Sequence, residues 1–432
     1  MKVVIVGGVA GGATAAARIR RLDEQAEIIV FERSSYISYA NCGLPYYIGD
    51  VITDADDLTL QTPESFWKRF RIAMKVHHEV TAIHPERKAV TVRNLETGAV
   101  FDECYDKLLL SPGAQPTQPK LPGMGIGKLF TLRTVEDTFR IKEYIDKNHP
   151  KSVVLAGGGF IGLELAENLR ELGMDVTIVQ RPKQLMNPFD ADMASFIHNE
   201  VRKAGIHLSL GQTVEGFQER NGGVDVLLRD SAPLHADMVI LAIGVTPESK
   251  LAKDAGLTLG IKGSILVNDR METSVPGVYA IGDVNGHHML AHTAYREAEV
   301  AVNGILGKQD TMRYHANPSV IYTQPEIASV GKTEEECKEK GIDYEVAKLP
   351  MLYSGRFVAE NEGADGLCKI IIDRKRRTIL GVHLLGSYSG EIIWGAAQML
   401  EMQLRVQDAR QIIFPHPTVS EIIRETLWEF HD

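Results

Sequence analysis

The sequence repeats one pattern, in which a short apolar strand, a glycine-rich turn, a helix and a second apolar strand follow one another. The first copy runs from Val3 to Glu32 and the second from Val153 to Gln180. In such a βαβ unit the turn presents backbone N–H groups and the positive end of a helix to a pyrophosphate. Two copies predict an α/β chain that binds two dinucleotides.

The second turn carries the full dinucleotide-binding pattern. Gly157, Gly159 and Gly162 are spaced as G-x-G-x-x-G between an apolar strand and a helix. Glycines at these positions let the backbone approach a phosphate closely. We therefore expect a nicotinamide dinucleotide here, and a glycine-rich turn that binds nothing is the alternative for either copy.

The last residue of the second copy bears on which nucleotide is used. Units that bind NAD usually have an acidic residue there, whereas this chain has Gln180, followed by Arg181 and Lys183. A neutral residue beside two cations favours NADPH, or the use of both nucleotides, over strict use of NADH. Ordinary surface cations would produce the same pattern.

The first turn departs from the dinucleotide pattern at one position. Gly7 and Gly12 match, while Val9 stands in place of the middle glycine. Glu32 lies about 20 residues beyond the turn, where a carboxylate can accept hydrogen bonds from both ribose hydroxyls. This carboxylate makes the first copy a credible dinucleotide site.

The composition disfavours several classes of function. A net charge of -10 argues against nucleic-acid binding, which needs clustered Lys and Arg. No apolar run reaches the roughly 18 residues that span a bilayer, and the first strand gives way to a glycine-rich turn before a signal peptide could form. We therefore expect a cytoplasmic protein without a nucleic-acid or membrane partner.

Cysteine chemistry in this chain rests on a single thiol. There are four cysteines and no C-x-x-C pair, which predicts neither a disulfide framework nor a metal site. Cys42 lies among small residues just after the first nucleotide-binding unit, where a helix start or a flavin would favour its thiolate. A buried structural cysteine is the alternative for Cys42, and it is our interpretation of Cys104, Cys337 and Cys368.

Four parts of the N-terminal region carry a family resemblance: the first glycine turn, residues 20–23, Glu32 and residues 38–47. Together they resemble the coenzyme A-disulfide reductase and NAD(P)H persulfide reductase branch of the two-dinucleotide flavoprotein disulfide reductases. This resemblance implies that Cys42 alternates between a thiolate and a mixed disulfide with coenzyme A beside the flavin. Related NADH peroxidases and oxidases carry a histidine where this chain has Ala10, which disfavours peroxide chemistry.

Further segments resemble the same family. One ends at Asp283, the position of the aspartate that binds the flavin ribityl chain, and another places Ala291 and His292 at a helix start that faces the flavin pyrimidine. Phe160 matches an aromatic gate over the nicotinamide, and Glu164 matches a helix glutamate that approaches it. Plain packing and a solvated helix face are the alternatives for these last two residues.

Residues 318–331 and 416–421 in the C-terminal region instead resemble segments of dihydrolipoamide dehydrogenase and mercuric reductase. In those proteins a histidine held by a glutamate, here His416 and Glu421, reaches across the dimer as acid and base for the thiol. Their second cysteine corresponds to Tyr47, so Cys42 cannot form a local disulfide and these two activities are disfavoured. Tyr353 resembles one of the tyrosines that the coenzyme A branch contributes from the partner subunit.

The predicted fold is α/β, with two Rossmann-like dinucleotide-binding domains and a C-terminal α+β dimerisation domain. The expected boundaries are 1–112 with 250–310 for FAD, 113–249 for NAD(P)H, and 311–432 for the interface. The interface implies a homodimer whose active sites are shared between chains.

The predicted function is an FAD-dependent NAD(P)H oxidoreductase that reduces a disulfide or persulfide through Cys42. The expected substrate is the disulfide of coenzyme A or of a related small thiol. Coenzyme A can also be present in a mixed disulfide with Cys42. Arg18, Arg20 and Arg21 could meet its phosphates, with an ordinary charged helix face as the alternative. Two further alternatives are an NAD(P)H oxidase that cycles through a Cys42 sulfenic acid and a flavin-bound redox sensor.

The candidate catalytic residues are Cys42, His416, Glu421 and Tyr353. The candidate cofactor-binding residues are Gly7, Gly8, Ala10, Gly11, Gly12, Glu32, Arg33, Asn41, Gly113, Asp283, Ala291, His292, Gly157, Gly159, Phe160, Ile161, Gly162, Glu164, Gln180, Arg181 and Gly244.

Overall fold

The structure is a computed structural model that describes residues 1–432 apart from Asn187, Ala364 and Asp432. The chain forms two compact units, each assembled from separate stretches of sequence. The first unit comprises Met1–Gln118, Leu132–Glu143 and Gly244–Arg313, and the second comprises Pro119–Thr131, Tyr144–Ile243 and Tyr314–Asp432. The boundaries expected for three separate domains stay a prediction.

The strands, in chain order, are β1 Lys2–Val6, β2 Glu27–Phe31, β3 Ala73–Lys75, β4 His78–His84, β5 Ala89–Asn94, β6 Val100–Cys104, β7 Lys107–Leu110, β8 Ala114–Pro116, β9 Leu129–Thr131, β10 Ser152–Ala156, β11 Asp175–Gln180, β12 His207–Leu210, β13 Val214–Arg220, β14 Gly223–Leu228, β15 Leu234–Ala236, β16 Met238–Leu241, β17 Val245–Pro247, β18 Val278–Ala280, β19 Ser319–Ile321, β20 Ile327–Gly331, β21 Tyr344–Pro350, β22 Leu367–Asp373 and β23 Ile379–Leu385. The α-helices are α1 Ala10–Leu22, α2 Leu44–Ile48, α3 Pro63–Phe70, α4 Val135–Asn148, α5 Phe160–Glu171, α6 Ala191–Lys203, α7 Lys250–Asp254, α8 Ala291–Ile305, α9 Glu334–Glu339, α10 Gly355–Glu360, α11 Ser389–Glu401, α12 Val406–Ala409 and α13 Glu421–Trp428.

The first unit is built on a parallel sheet in the order β18-β7-β1-β2-β3. Its central strand β1 is fully buried at Val3, Val4 and Ile5, as expected for a parallel strand covered on both faces. Helix α1 packs against β2 and α8, and its small buried residues Ala13 and Ala16 allow close approach. A separate antiparallel sheet, β4-β5-β6, belongs to the same unit.

The second unit contains another parallel sheet, in the order β12-β11-β10-β16-β9. It also contains the antiparallel sheet β13-β14-β15 and a five-stranded antiparallel sheet in the order β19-β20-β23-β22-β21. Helices α11 and α13 pack on this last sheet, around a core that includes Ile370, Ile372, Leu384 and Ile393. The predicted α/β class and the α+β character of the C-terminal region are confirmed.

Among the described residues, no helix combines the length and the apolar character needed to cross a membrane.

Candidate functional site

The first glycine turn is shaped by close contact between its own backbone atoms. Gly7 has a φ of 98° and its N–H donates to Phe31 O (2.8 Å), while a Cβ on Gly12 would overlap the Gly7 carbonyl. The carboxylate of Glu32 is 8% exposed and accepts from the backbone N–H groups of Gly8 and Ser34, both at 2.8 Å. The turn therefore fixes the carboxylate at the end of β2, where the sequence predicts a ribose.

The second glycine turn repeats this construction. Gly157 has a φ of 117°, and a Cβ on Gly162 would overlap the Gly157 carbonyl. The N–H of Gly158 donates to Gln180 Oε1 (2.9 Å), as the N–H of Gly8 does to the first unit's glutamate. Apart from Gly159 and its neighbours in the chain, no described atom lies within 4 Å of the position that a Cβ on Gly159 would occupy, so the backbone there is open to a ligand.

Cys42 lies in a short 3-10 turn, Asn41–Gly43, directly before α2. Cys42 is exposed and forms no disulfide, and Asn41 Oδ1 beside it is buried with no hydrogen-bond partner among the described residues. Burial and, to a smaller extent, the Cys42 thiolate raise the pKa of Tyr295, which indicates that the Tyr295 phenol lies near this sulfur. The ring of Tyr47 packs against Phe139, with ring centroids 5.5 Å apart.

Asp283 lies in a 3-10 turn, Gly282–Asn285, after β18. Its Oδ2 accepts from Arg133 Nη2 (2.6 Å), and Arg133 Nε donates to Ala114 O (3.1 Å). No local sequence pattern indicates a role for Arg133, because its partner Asp283 is distant in the chain. Asn285 is 4% exposed, and its Nδ2 has no hydrogen-bond partner among the described residues.

These observations fit a bound flavin dinucleotide in the first unit. Two buried amide atoms, Asn41 Oδ1 and Asn285 Nδ2, need partners that the described residues do not supply. Helix α8 begins at Ala291, and Leu290 gives it no side-chain cap, so its first amides can face a negative charge. Asp283, Glu32 and the first glycine turn lie in the same unit and offer the carboxylates and backbone N–H groups that the sugars and phosphates of a dinucleotide need.

Glu164 is buried on α5, one turn after Phe160, with 7% of its surface exposed. Burial raises the pKa of its carboxyl group to about 7, and the N–H of Tyr322, which donates to Glu164 Oε1 (3.3 Å), offsets part of that rise. Glu167 lies on the same face of α5 and accepts from the N–H of Gln324 (2.8 Å). The solvated helix face considered for Glu164 is therefore wrong.

His416 and Glu421 form the pair that the sequence predicts. His416 Nδ1 lies 3.0 and 3.2 Å from the two carboxylate oxygens of Glu421, and the His416 side chain is 79% exposed. The N–H of Thr418 and this histidine lower the pKa of Glu421, so the carboxylate is charged at neutral pH. Tyr353 ends a 3-10 turn and is 60% exposed.

Two interpretations made from the sequence are corrected. Arg20 is not free for a ligand phosphate, because its guanidinium donates to the backbone oxygens of Phe70 (2.9 Å) and Arg71 (3.2 Å) at the end of α3. Cys104 is not buried, because burial alternates along β6 and Cys104 lies on the exposed face.

Among the predicted cofactor-binding residues, Arg33 pairs with Glu248 (3.4 Å) on the surface of the first unit.

Comparison with known proteins agrees with this geometry. Residues 1–298 match the model of the pyridine nucleotide-disulphide oxidoreductase family, and residues 317–427 match that family's dimerisation domain. Coenzyme A disulfide reductase of Staphylococcus aureus (strain JH9) is 36% identical over 398 residues, which cover 89% of this chain and 88% of the relative.

Two solved structures are similar over 99% of this chain. The structure of reduced CoADR-RHD from Bacillus anthracis has a TM-score of 0.90 and 38% identity, with 80% of its own chain covered. An NAD-dependent persulfide reductase from A. fulgidus has a TM-score of 0.89 and 27% identity, with 83% of its chain covered. The chain belongs to the pyridine nucleotide-disulphide oxidoreductase family and is an FAD-dependent oxidoreductase.

Proposed function

We propose that this protein reduces a disulfide or persulfide of a small phosphate-bearing thiol, of which coenzyme A is the leading example, and that Cys42 is its redox residue. The observation that carries the proposal is an exposed cysteine, in no disulfide, next to a buried asparagine oxygen that has no partner among the described residues, shortly after the first nucleotide-binding unit. FAD, when bound, supplies the chemistry that moves two electrons from NAD(P)H to sulfur. Glu32, Asn41, Asp283 and the α8 start would hold it.

The sulfur chemistry of the proposed reaction balances with one cysteine. The Cys42 thiolate attacks one sulfur of the substrate disulfide, the substrate S–S bond breaks, and one thiolate leaves while a mixed disulfide forms on Cys42. Two electrons then break the mixed disulfide, which releases the second thiolate and restores that of Cys42. One NAD(P)H and one proton are consumed for each disulfide converted to two thiols.

The leaving thiolates need a proton donor, and we assign that role to His416. Its Nδ1 faces the Glu421 carboxylate, which fixes the tautomer and leaves Nε2 to exchange a proton with the thiol. The dimerisation domain suggests a homodimer, and we propose that this histidine serves the Cys42 of the partner subunit. Trp394 and Ile413, which are 66% and 93% exposed, are apolar residues suited to such an interface.

A phosphate-bearing substrate is supported by the cations of α1. Arg18 Nε is buried and has no hydrogen-bond partner among the described residues. Arg21 is engaged only weakly, with its guanidinium 5.9 Å from the centroid of the Phe70 ring. Of the three arginines that the sequence suggests as phosphate ligands, we therefore propose these two.

For the nicotinamide nucleotide we propose NADPH, because Gln180 is neutral and the side chains of Arg181 and Lys183 are exposed.

The decisive experiment compares Cys42→Ser with Cys104→Ser, which alters the other exposed cysteine. NAD(P)H oxidation is measured anaerobically with coenzyme A disulfide and coenzyme A persulfide, and in air without either. We expect Cys42→Ser to lower reductase turnover by about a thousandfold or more, and Cys104→Ser to leave it unchanged within about twofold. Intact mass before and after reductant should show a thiol adduct that only Cys42→Ser loses.

Three results would contradict the proposal. Full reductase turnover by Cys42→Ser would remove the cysteine from the mechanism. Oxygen uptake that matches NAD(P)H loss without added disulfide would identify an oxidase. Flavin reduction by NAD(P)H without turnover of any acceptor would identify a redox sensor.

A further inference from the structure

The stretch between β11 and α6 lies against the second glycine turn. This connecting segment, defined as residues 181–186 and 188–190, follows Gln180 directly. The N–H of Met186 donates to Gly158 O (3.1 Å), and the N–H of Leu185 donates to His198 Nε2 (2.9 Å). A Cβ on Gly158 would overlap the Leu185 side chain, so the segment and the turn are in direct contact.

The far end of the connecting segment is held by the C-terminal antiparallel sheet. The ring of Phe189, which is 3% exposed, meets the ring of His383 on β23 edge to face, with centroids 6.0 Å apart. Asp190 accepts from the N–H groups of Glu334 (3.0 Å) and Glu335 (3.1 Å) at the start of α9. The nucleotide turn therefore contacts the middle of the connecting segment, and the C-terminal region holds the end that is nearest to α6.

A buried lysine secures this end. Lys369, on β22, has no exposed surface, and its Nζ lies 2.7 Å from Asp190, 3.0 Å from Asp192 and 2.7 Å from Glu334. Three carboxylates this close together could otherwise hold a metal ion, but here the ammonium group compensates their charge. Removing one partner from a buried ion pair leaves a charge without compensation, so the remaining groups must rearrange.

We infer that Lys369 is a positioning residue for the nicotinamide nucleotide, acting from the C-terminal sheet through Asp190 and the connecting segment on the second glycine turn. The inference rests on the proposed function, because it requires that this turn bind NAD(P)H. A loosened segment must be ordered again each time the nucleotide binds, and that ordering weakens binding. Lys369 has no described contact with the second glycine turn itself, so it acts on nucleotide affinity and not on electron transfer.

The test uses the FAD-loaded protein and three variants. Lys369→Met removes the ammonium, Asp192→Asn weakens the same cluster at a carboxylate that is 31% exposed, and Lys250→Met is the matched control at an exposed ion pair in the first unit. Anaerobic stopped-flow traces of flavin absorbance against NADPH concentration give an apparent Kd and a limiting rate of reduction. Binding of NADP+ is measured separately by calorimetry.

We expect Lys369→Met to raise Kd for both nucleotides about tenfold and Asp192→Asn to raise it about threefold, with limiting rates within about twofold of wild type. Lys250→Met should match wild type. Should Lys369→Met fail to fold, Asp192→Asn decides the question. A Kd within about twofold of wild type in a folded cluster variant would overturn the inference, even if that variant were less stable. Failure of the wild type to bind both NADPH and NADH would instead overturn the proposed function.

Discussion

Replacing Glu164 with glutamine should make the stability of the second unit less sensitive to pH. Glu164 is 7% exposed, and burial raises the pKa of its carboxyl group to about 7 from an ordinary value of 4.5. Glutamine keeps the length of the side chain and an oxygen that can accept from the N–H of Tyr322, but it has no charge to bury. The variant therefore isolates the cost of ionising this one group.

The size of the effect follows from proton linkage. Between pH 4.5 and 7 the unfolded chain has released this proton while the folded chain still holds it, so the free energy of unfolding falls as the pH rises. The loss is about 1.4 kcal/mol per pH unit and reaches about 3 kcal/mol above pH 7. For a unit of this size, about 3 kcal/mol corresponds to roughly 6 to 12 °C in the midpoint of thermal unfolding.

Scanning calorimetry at pH 5 and pH 8 measures this difference. Glu171→Gln is the control, because Glu171 is an exposed glutamate at the end of the same helix. We compare each variant's midpoint of thermal unfolding with that of wild type at the same pH. Between pH 5 and pH 8, this difference should rise by most of the roughly 6 to 12 °C for Glu164→Gln. For Glu171→Gln it should stay constant. A relative midpoint for Glu164→Gln that changed by less than about 2 °C would show that burial does not hold this carboxyl group protonated.

Three further outcomes are expected. Gln180→Glu should keep the hydrogen bond from Gly158 but repel a 2′-phosphate. The ratio of kcat/KM for NADPH to that for NADH should therefore fall about tenfold or more. An unchanged ratio would show that this residue does not determine the choice of nucleotide. Glu421→Gln removes the charge that orients His416, so disulfide turnover should fall about tenfold while flavin reduction by NADPH stays constant in stopped flow. Asn285→Ala should lower the ratio of FAD absorbance to protein absorbance after gel filtration. The control Asn148→Ala, at an exposed asparagine, should not lower it. The same ratio in both variants would place Asn285 outside the flavin site.

The parts of the fold that depend on local pattern could be predicted from the sequence. Each nucleotide-binding unit is continuous in the chain, and its glycines are required by contacts a few residues away, as at Gly12 and Gly162. The sequence pattern also predicts C-terminal helices near residues 333–340 and 390–400, and α9 and α11 begin and end within about two residues of those positions.

What could not be predicted depends on partners that are distant in sequence. Arg133 meets Asp283 across 150 positions, and no local motif marks either as half of a pair. The local sequence around Arg20 does not show that its guanidinium is occupied, because the group that it binds, the carbonyl of Phe70 at the end of α3, lies 50 positions away. Tyr295 shares a helix with Ala291, yet only the folded loop shows that its phenol lies near Cys42.

The discontinuous first unit has a consequence for biosynthesis. Strand β18 and Asp283 are translated only after the whole β10–β16 fold, although they complete the sheet that starts at Lys2. A nascent chain must therefore keep an unfinished sheet edge while a later fold emerges from the ribosome. Flavin capture should be a late event in synthesis, and chains that terminate before residue 278 should emerge colourless even though their first glycine turn is intact.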